Sequence, residues 1–162
     1  MASPALDGSI GRRPGDALAT VHPAVHDVRM GLTIGDLFRR NSASAPSSVA
    51  ASLGDVELTY REIDLAANRM VRALREVGIA VGDRVMWWGE TTLDAVPLFA
   101  ALAKLGAVFA PLNARYGPDE AVDVAQLARS KLLVADPPHI EAAMAVAQRV
   151  GALPVALLDD AG

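Results

Sequence analysis

The most regular pattern of apolar and polar positions lies between residues 59 and 78. Thr59 and Glu62 stand three residues apart, the spacing of a capping box in which each side chain bonds the other residue's backbone N–H at a helix start. Apolar side chains then recur every three or four residues, at Ile63, Ala66, Ala67, Met70, Leu74 and Val77. The pattern predicts an amphipathic helix that ends at Gly78, because glycine tolerates the left-handed conformation found there.

A shorter helix and a β-hairpin are predicted before this segment. Thr33 is followed three residues later by Asp36, which predicts a capped helix start. The polar residues 41–48 predict a break after that helix. Residues 49–53 and 56–58 have strand character and are separated by a Gly-Asp pair, which predicts two antiparallel strands joined by a tight turn.

From residue 56 onward, predicted strands alternate with predicted helices. Later strands are predicted at residues 84–88, 107–112, 131–135 and 154–158. Later helices are predicted over about residues 92–105, after Gly117 and Pro118, and over about residues 136–150, with Asp136 as a cap. Pro97 falls inside the first of these helices, where it removes a hydrogen bond or delays the helix start.

The strands after residue 80 are apolar almost throughout, which is typical of a parallel sheet covered on both faces. Trp87 and Trp88 are adjacent in one of them, and successive strand side chains point to opposite faces. We therefore expect each tryptophan to pack under a helix rather than to form a ligand platform. The predicted fold class is α/β: a doubly wound, mostly parallel sheet with helices on both faces and a small N-terminal hairpin.

Residues 1–31 are rich in Gly, Pro, Ala and polar residues and show no sustained period, which predicts a flexible N-terminal extension. Residues 32–162 are predicted to form the α/β domain. Met30 lies just before the first organised segment, so we hypothesise that translation begins at Met30 rather than at Met1.

Composition narrows the functional classes. The 162 residues include no cysteine, which excludes disulfides, cysteine zinc sites and cysteine nucleophiles within them. A net charge of −4 offers no basic excess for nucleic acid. The most apolar stretch, residues 93–112, is interrupted by charged residues and prolines, so no membrane-spanning helix is predicted. We predict a cytoplasmic protein.

The usual patterns for binding phosphate and metal ions are absent from this sequence. It contains neither G-x-x-x-x-G-K-[ST] nor G-x-G-x-x-G. His22 and His26 have a helical metal-ligand spacing, with Asp27 beside them, but Pro23 lies between them and no third ligand is evident, so a solvated tail is the preferred interpretation. We expect His139 to lie at the surface, and the Asp159–Asp160 pair to be solvated rather than catalytic.

Two predicted loops lie where α/β sheets often bind ligands, beyond the carboxyl ends of strands. Gly89, Glu90 and Thr91 follow the strand that carries the tryptophans, and Arg115 and Tyr116 follow the next strand. An arginine at this place can meet a phosphate or a carboxylate. An ion pair that anchors the loop is the preferred interpretation.

Four segments, taken in order, resemble the adenylate-forming superfamily of acyl-CoA synthetases, luciferases and peptide-synthetase adenylation domains. The sequence LTYRE at residues 58–62 resembles its first core motif. LAKLGAVFAPLNARY at residues 102–116 resembles its second, in the form seen in fatty-acyl ligases, with Ala114 where proline is common. Residues 78–85 and 130–136 match the connecting segments, so the resemblance covers roughly residues 32–158.

The resemblance implies a parent reaction in which a carboxylic acid, aliphatic by the form of the second motif, is activated by ATP to acyl-AMP and then transferred to CoA. It implies ATP, Mg²⁺ and CoA for the full-length enzyme. The family's phosphate loop, adenine motif, ribose-binding aspartate and C-terminal lysine are not found in these 162 residues. We therefore expect an incomplete AMP-binding domain that is inactive alone, with no catalytic, cofactor-binding or metal-binding residue assigned here.

One alternative stays open at this point. Because members of the family often dimerise through their large domain, the resemblance also allows a homodimer, or a non-catalytic interaction module that pairs with homologous subunits.

Overall fold

The computed structural model describes residues 32–158, which form an α/β fold. The elements are α1 (Ile34–Ser44), β1 (Val49–Leu53), β2 (Val56–Thr59), α2 (Tyr60–Glu76), β3 (Arg84–Trp88), α3 (Ala95–Leu105), β4 (Val108–Pro111), α4 (Pro118–Ala128), β5 (Leu132–Ala135), a 3₁₀ turn (Pro137–His139), α5 (Ile140–Arg149) and β6 (Val155–Leu157). The predictions for the N-terminal extension, His22, His26, Asp27, Met30, Asp159 and Asp160 fall outside the described residues.

Four strands form a parallel sheet in the order β4-β3-β5-β6. Val85 of β3 pairs with Phe109 of β4 on one side and with Leu132 of β5 on the other. The chain thus passes from β3 to β4 on one side and then crosses to β5 on the other side of β3. Such a reversal of strand order opens a crevice at the carboxyl ends of the strands. β1 and β2 pair separately as an antiparallel hairpin. The predicted fold class is confirmed.

Helices cover both faces of the parallel sheet. On one face, side chains of α2 and α3 form a buried cluster with alternate strand residues, and α1 packs against these two helices. On the other face, α4 and α5 form a second buried cluster. Trp87 belongs to the first cluster and Trp88 to the second, and both are buried. The prediction that the two tryptophans pack in the core is confirmed.

The predicted capping box at Thr59 is present, and the predicted cap at Thr33 also takes the form of a capping box. The Thr59 hydroxyl accepts a hydrogen bond from the Glu62 N–H at 3.3 Å, and the Glu62 carboxylate accepts one from the Thr59 N–H at 2.8 Å. The same two bonds join Thr33 and Asp36 at the start of α1. The backbone N–H of Thr59, followed by its hydroxyl, lowers the pKa of the Glu62 carboxyl from its ordinary value of 4.5. These bonds satisfy N–H groups that a helix start otherwise leaves unpaired.

The predicted break at residues 41–48 is wrong over its first half, because α1 continues to Ser44. The hydroxyls of Ser42 and Ser44 donate to the carbonyls of Arg39 at 3.2 Å and Arg40 at 2.9 Å. These side chains therefore satisfy their own polarity inside the helix instead of interrupting it.

Helix α3 begins at Ala95, about three residues later than predicted, which puts Pro97 in the first turn. A proline is tolerated there because the N–H it lacks has no partner in the helix. The helix ends at Gly106 with φ +77°. Lys104 in its last turn is buried, and its ammonium group bonds Asp64 and Asn68 of α2, which fastens the two helices together.

The two edges of the described sheet differ. β4 ends at Pro111, whereas β6 (Val155–Leu157) consists of apolar residues only. An apolar groove lies beside β6, lined by residues that include Ile140, Met144 and Leu153.

Candidate functional site

A cleft of about 510 Å³ lies at the carboxyl ends of β3 and β4. Residues 89–92, which follow β3, form one side, and residues 111–115 at the end of β4 form the other. Trp87, Ala95 and Phe109 contribute apolar surface. The predicted loop residues Gly89, Glu90, Thr91 and Arg115 are thus brought together in one place, whereas Tyr116 is not among the lining residues.

Gly89 allows the loop after β3 to pass close to its neighbours. A Cβ atom at this position would lie 2.3 Å from Cζ2 of the Trp87 ring and 2.8 Å from Oδ2 of Asp136. Both distances are far below ordinary van der Waals contact. Any larger residue would therefore displace the loop, the indole ring or the Asp136 carboxylate, and only glycine fits without rearrangement.

Asp136 connects the loop after β5 to the loop after β3. Its carboxylate accepts hydrogen bonds from the N–H of Glu90 at 2.8 Å and from the N–H of His139 at 3.0 Å. Its side chain is only 8% exposed. The second bond confirms the predicted cap, and the first, across 46 positions of sequence, has no local signal that would predict it.

His139 connects the loop after β5 to the turn after β4. Its Nδ1 lies 2.5 Å from Oδ1 of Asp136, and its Nε2 lies 3.1 Å from the carbonyl oxygen of Ala114. The ring also packs against Trp88, with centroids 5.7 Å apart. The expectation of a surface position is wrong, because the side chain is 13% exposed and both ring nitrogens have partners.

Arg115 lies in a tight turn at the mouth of the cleft. The N–H of Tyr116 donates to the carbonyl of Asn113, and the N–H of Arg115 donates to the Asn113 side chain, both at 3.0 Å. The arginine is exposed. Within residues 32–158 no carboxylate lies in ion-pair distance of its guanidinium, so the preferred interpretation of an anchoring ion pair is not supported. The positive charge faces solvent at the edge of the cleft.

A charged pair at the amino ends of β3 and β5 has a different role. Lys131 donates to the Asp83 carboxylate and to the Gly78 carbonyl, each at 2.8 Å. The hydrogen bond from Lys131 is the largest cause that lowers the pKa of Asp83. This pair links two turns and does not contact the cleft. Across the part of the chain that is described, no three carboxylate, histidine or cysteine side chains converge in a way that suits a metal ion.

The sequence model of the family described as "AMP-binding enzyme" matches residues 38–161. The chain belongs to the AMP-binding enzyme family. A feruloyl-CoA synthase of an Amycolatopsis species is 32% identical to this AMP-binding chain over 123 residues, which are 75% of the chain and 25% of that protein.

The fold of this chain is also similar to those of proteins with solved structures. The fatty acyl CoA synthetase of Mycobacterium tuberculosis superposes with a TM-score of 0.70 and 28% identity, over 78% of this chain and 26% of that one. The N-terminal domain of FACL13 from the same organism gives a TM-score of 0.71 and 28% identity, over 78% of this chain and 34% of that domain. The AMP-binding chain thus spans between a quarter and about a third of the length of these three proteins.

Among residues 32–158, no helix is both long enough and apolar enough to cross a bilayer.

Proposed function

We propose that this chain forms the first part of the AMP-binding domain of an acid–CoA ligase, an enzyme that converts a carboxylic acid to acyl-AMP and then to acyl-CoA. The feature that carries the proposal is the cleft at the carboxyl ends of β3 and β4 in a chain of the AMP-binding family. Parallel α/β sheets bind ligands at such edges. The relatives named above include a feruloyl-CoA synthase and a fatty acyl CoA synthetase, which are enzymes of this class.

The cleft is one wall of the substrate site in this proposal. Its apolar surface, from Trp87, Ala95 and Phe109, suits the carbon skeleton of an acid or of CoA. The guanidinium of Arg115, which has no carboxylate partner among residues 32–158, suits an anionic group, because arginine binds phosphate and carboxylate oxygens in a bidentate manner. No residue of the cleft is assigned a catalytic role.

The remaining parts of the site are expected in the rest of a complete enzyme. In the complete enzyme, the acid's carboxylate would attack the α-phosphate of ATP with release of pyrophosphate, and bound Mg²⁺ would neutralise charge on the phosphate oxygens. We expect residues 1–162 alone not to form AMP, since the segment spans only a quarter to about a third of the length of the three relatives named above. The proposal also includes a boundary at residue 31 between an N-terminal extension and the AMP-binding domain. It further includes an aliphatic acid as the substrate and a cytoplasmic location.

Two assays test the proposal. Residues 1–162, incubated with ATP, Mg²⁺, CoA and a panel of acids, are expected to release no AMP. A chimaera in which residues 32–158 replace the matching part of the Mycobacterium tuberculosis fatty acyl CoA synthetase is expected to release AMP when an acid is present. AMP formation by the short chain, or a folded chimaera without activity, would contradict the proposal.

The chimaera also tests Arg115. Arg115→Ala is expected to raise the KM for CoA or for the acid by about tenfold or more, the loss expected for a hydrogen bond to a charged group. Arg72→Ala is the matched control, because Arg72 is an exposed arginine of α2 outside the cleft. Equal effects of the two substitutions would remove Arg115 from the site.

A further inference from the structure

We infer that His139 is a positioning residue whose protonation determines how firmly the turn carrying Arg115 is held at the cleft. The inference concerns regulation of the cleft described above, and its functional meaning rests on the proposed function.

The donors and acceptors around the ring decide its state. The carbonyl oxygen of Ala114 can only accept a hydrogen bond, so Nε2 must donate to it. The Asp136 carboxylate already accepts two backbone N–H groups, which marks it as the ionised, accepting partner, so Nδ1 must donate as well. A neutral imidazole has one N–H and can make only one of these two bonds. Both bonds therefore require the doubly protonated ring.

The bond to Ala114 is the one that is lost when the ring gives up a proton. The bond to Asp136 is the shorter of the two, 2.5 Å against 3.1 Å, and its acceptor is charged. Asp136 is also fixed by the Glu90 and His139 N–H groups. The neutral ring thus keeps its proton on Nδ1 and turns the lone pair of Nε2 toward the Ala114 carbonyl, which replaces an attraction by a repulsion.

The turn at residues 113–116 depends on this bond. Its other hydrogen bonds, from Tyr116 and Arg115 to Asn113, are internal to the turn. In the described part of the chain, the bond from His139 to Ala114 is the one that ties these four residues to another element. Loss of it leaves Arg115 on a turn that is anchored only through the strand before it and the helix after it.

The electrostatic surroundings of the ring are simple. The ionisable side chains on the neighbouring elements are Arg84 in β3, Glu90 on the loop after it, Arg115 and Tyr116 on the turn, Asp136 before the 3₁₀ turn, and Glu141 and Arg149 in α5. Of these, Asp136 alone contacts the ring in the described structure. The ring itself is largely enclosed beside Trp88, so water does not readily replace a lost partner.

The first test uses the chain itself and needs no substrate. The sequence contains three histidines, so His22→Gln with His26→Gln leaves His139 as the only one. Nitrogen-15 NMR of this variant, recorded from about pH 5 to 8, the range in which histidines usually titrate, reports the protons on both ring nitrogens. Hydrogen exchange reports the protection factor of the Arg115 amide at each pH. That factor is expected to fall about fivefold as Nε2 loses its proton, the effect of one net hydrogen bond.

His139→Gln is the reference, because glutamine can donate to Ala114 without titrating. Its protection factor at Arg115 is expected to be independent of pH, with β3 amides protected as in the parent chain. A pH-dependent fall of the same size in His139→Gln would overturn the inference, as would ring titration without any change at Arg115. If His139→Gln does not fold, the titration of the parent variant still decides between these outcomes.

The functional consequence is tested separately in the chimaera. The KM of the substrate that contacts Arg115 is expected to rise with pH in the parent and to lose this dependence in His139→Gln, with kcat little changed. An inactive chimaera would reject the proposed function while leaving the NMR result standing. An active chimaera with unchanged NMR behaviour would reject only the role of His139.

Discussion

Replacement of Gly89 by alanine is the most direct test of how the cleft is built. The new Cβ atom would lie 2.3 Å from the Trp87 ring, about 1.1 Å inside the 3.4 Å at which ordinary contact begins. Forcing one extra carbon into such a place costs about 1–3 kcal/mol. Displacement of the Asp136 carboxylate weakens its hydrogen bond to Glu90, a charged bond that contributes about 1.5–3 kcal/mol. Alanine also restricts the unfolded chain, which returns about 0.4–1 kcal/mol.

The expected net loss in the free energy of unfolding is about 2–4 kcal/mol, which corresponds to a fall in Tm of about 4–16 °C for a chain of this size. Urea and thermal unfolding measured by tryptophan fluorescence would show the loss, because Trp87 and Trp88 are buried in the folded chain and become exposed on unfolding. Gly117→Ala is the control for packing: its Cβ would meet its nearest neighbour at 3.8 Å, so the substitution adds no clash, and the loss in the free energy of unfolding is expected to stay within the roughly 1 kcal/mol that alanine costs at a helix N-cap. A Gly89→Ala protein as stable as the control would refute the packing argument.

Three further results are expected from unfolding measurements on single variants and at different pH. Lys104→Met should lower the free energy of unfolding by about 3 kcal/mol, because it leaves the Asp64 carboxylate, which is 20% exposed, without its charged partner. Adding Asp64→Leu should recover part of that loss. A double variant no more stable than Lys104→Met would argue against the buried pair. Thr59→Ala should cost about 1 kcal/mol through loss of the helix cap, and an unchanged urea midpoint would contradict this. Folding lowers the pKa values of Glu62 and Asp83, so their contribution to the free energy of unfolding is complete above the ordinary values of 4.5 and 3.8. This contribution is lost as pH falls through the lower pKa values of the folded chain. A urea midpoint that stays constant down to pH 2 would contradict these shifts.

The parts of the fold that the sequence predicts are those decided by neighbours along the chain. Thr59 and Glu62 are three residues apart, so their mutual capping follows from local geometry. Trp87 and Trp88 are adjacent, so the alternation of a strand is enough to place them on opposite faces. The alternation of strands and helices then fixes the fold class, because right-handed crossovers leave few other arrangements for it.

The parts that escape sequence reasoning depend on contacts between distant segments. His139 meets Ala114 across 25 positions, and Lys104 meets Asp64 across 40. Neither pair has a spacing or motif that marks it, so a histidine near a helix start was expected at the surface. The candidate loops were predicted from the strand ends, but their connection through Asp136 requires knowing that β5 lies beside β3.

The two edges of the sheet differ in whether a further strand can pair with them. Pro111 lacks the N–H that a further strand would need, and it already stands opposite Trp87 of β3, so the β4 side resists extension. β6 carries no proline and no charge, and its outer backbone groups have no strand beside them among residues 32–158. Such an edge readily accepts another strand. Copies of residues 1–162 should therefore be kept at low concentration, because they can associate through β6. A charged residue in place of Leu157 is the substitution expected to prevent this association.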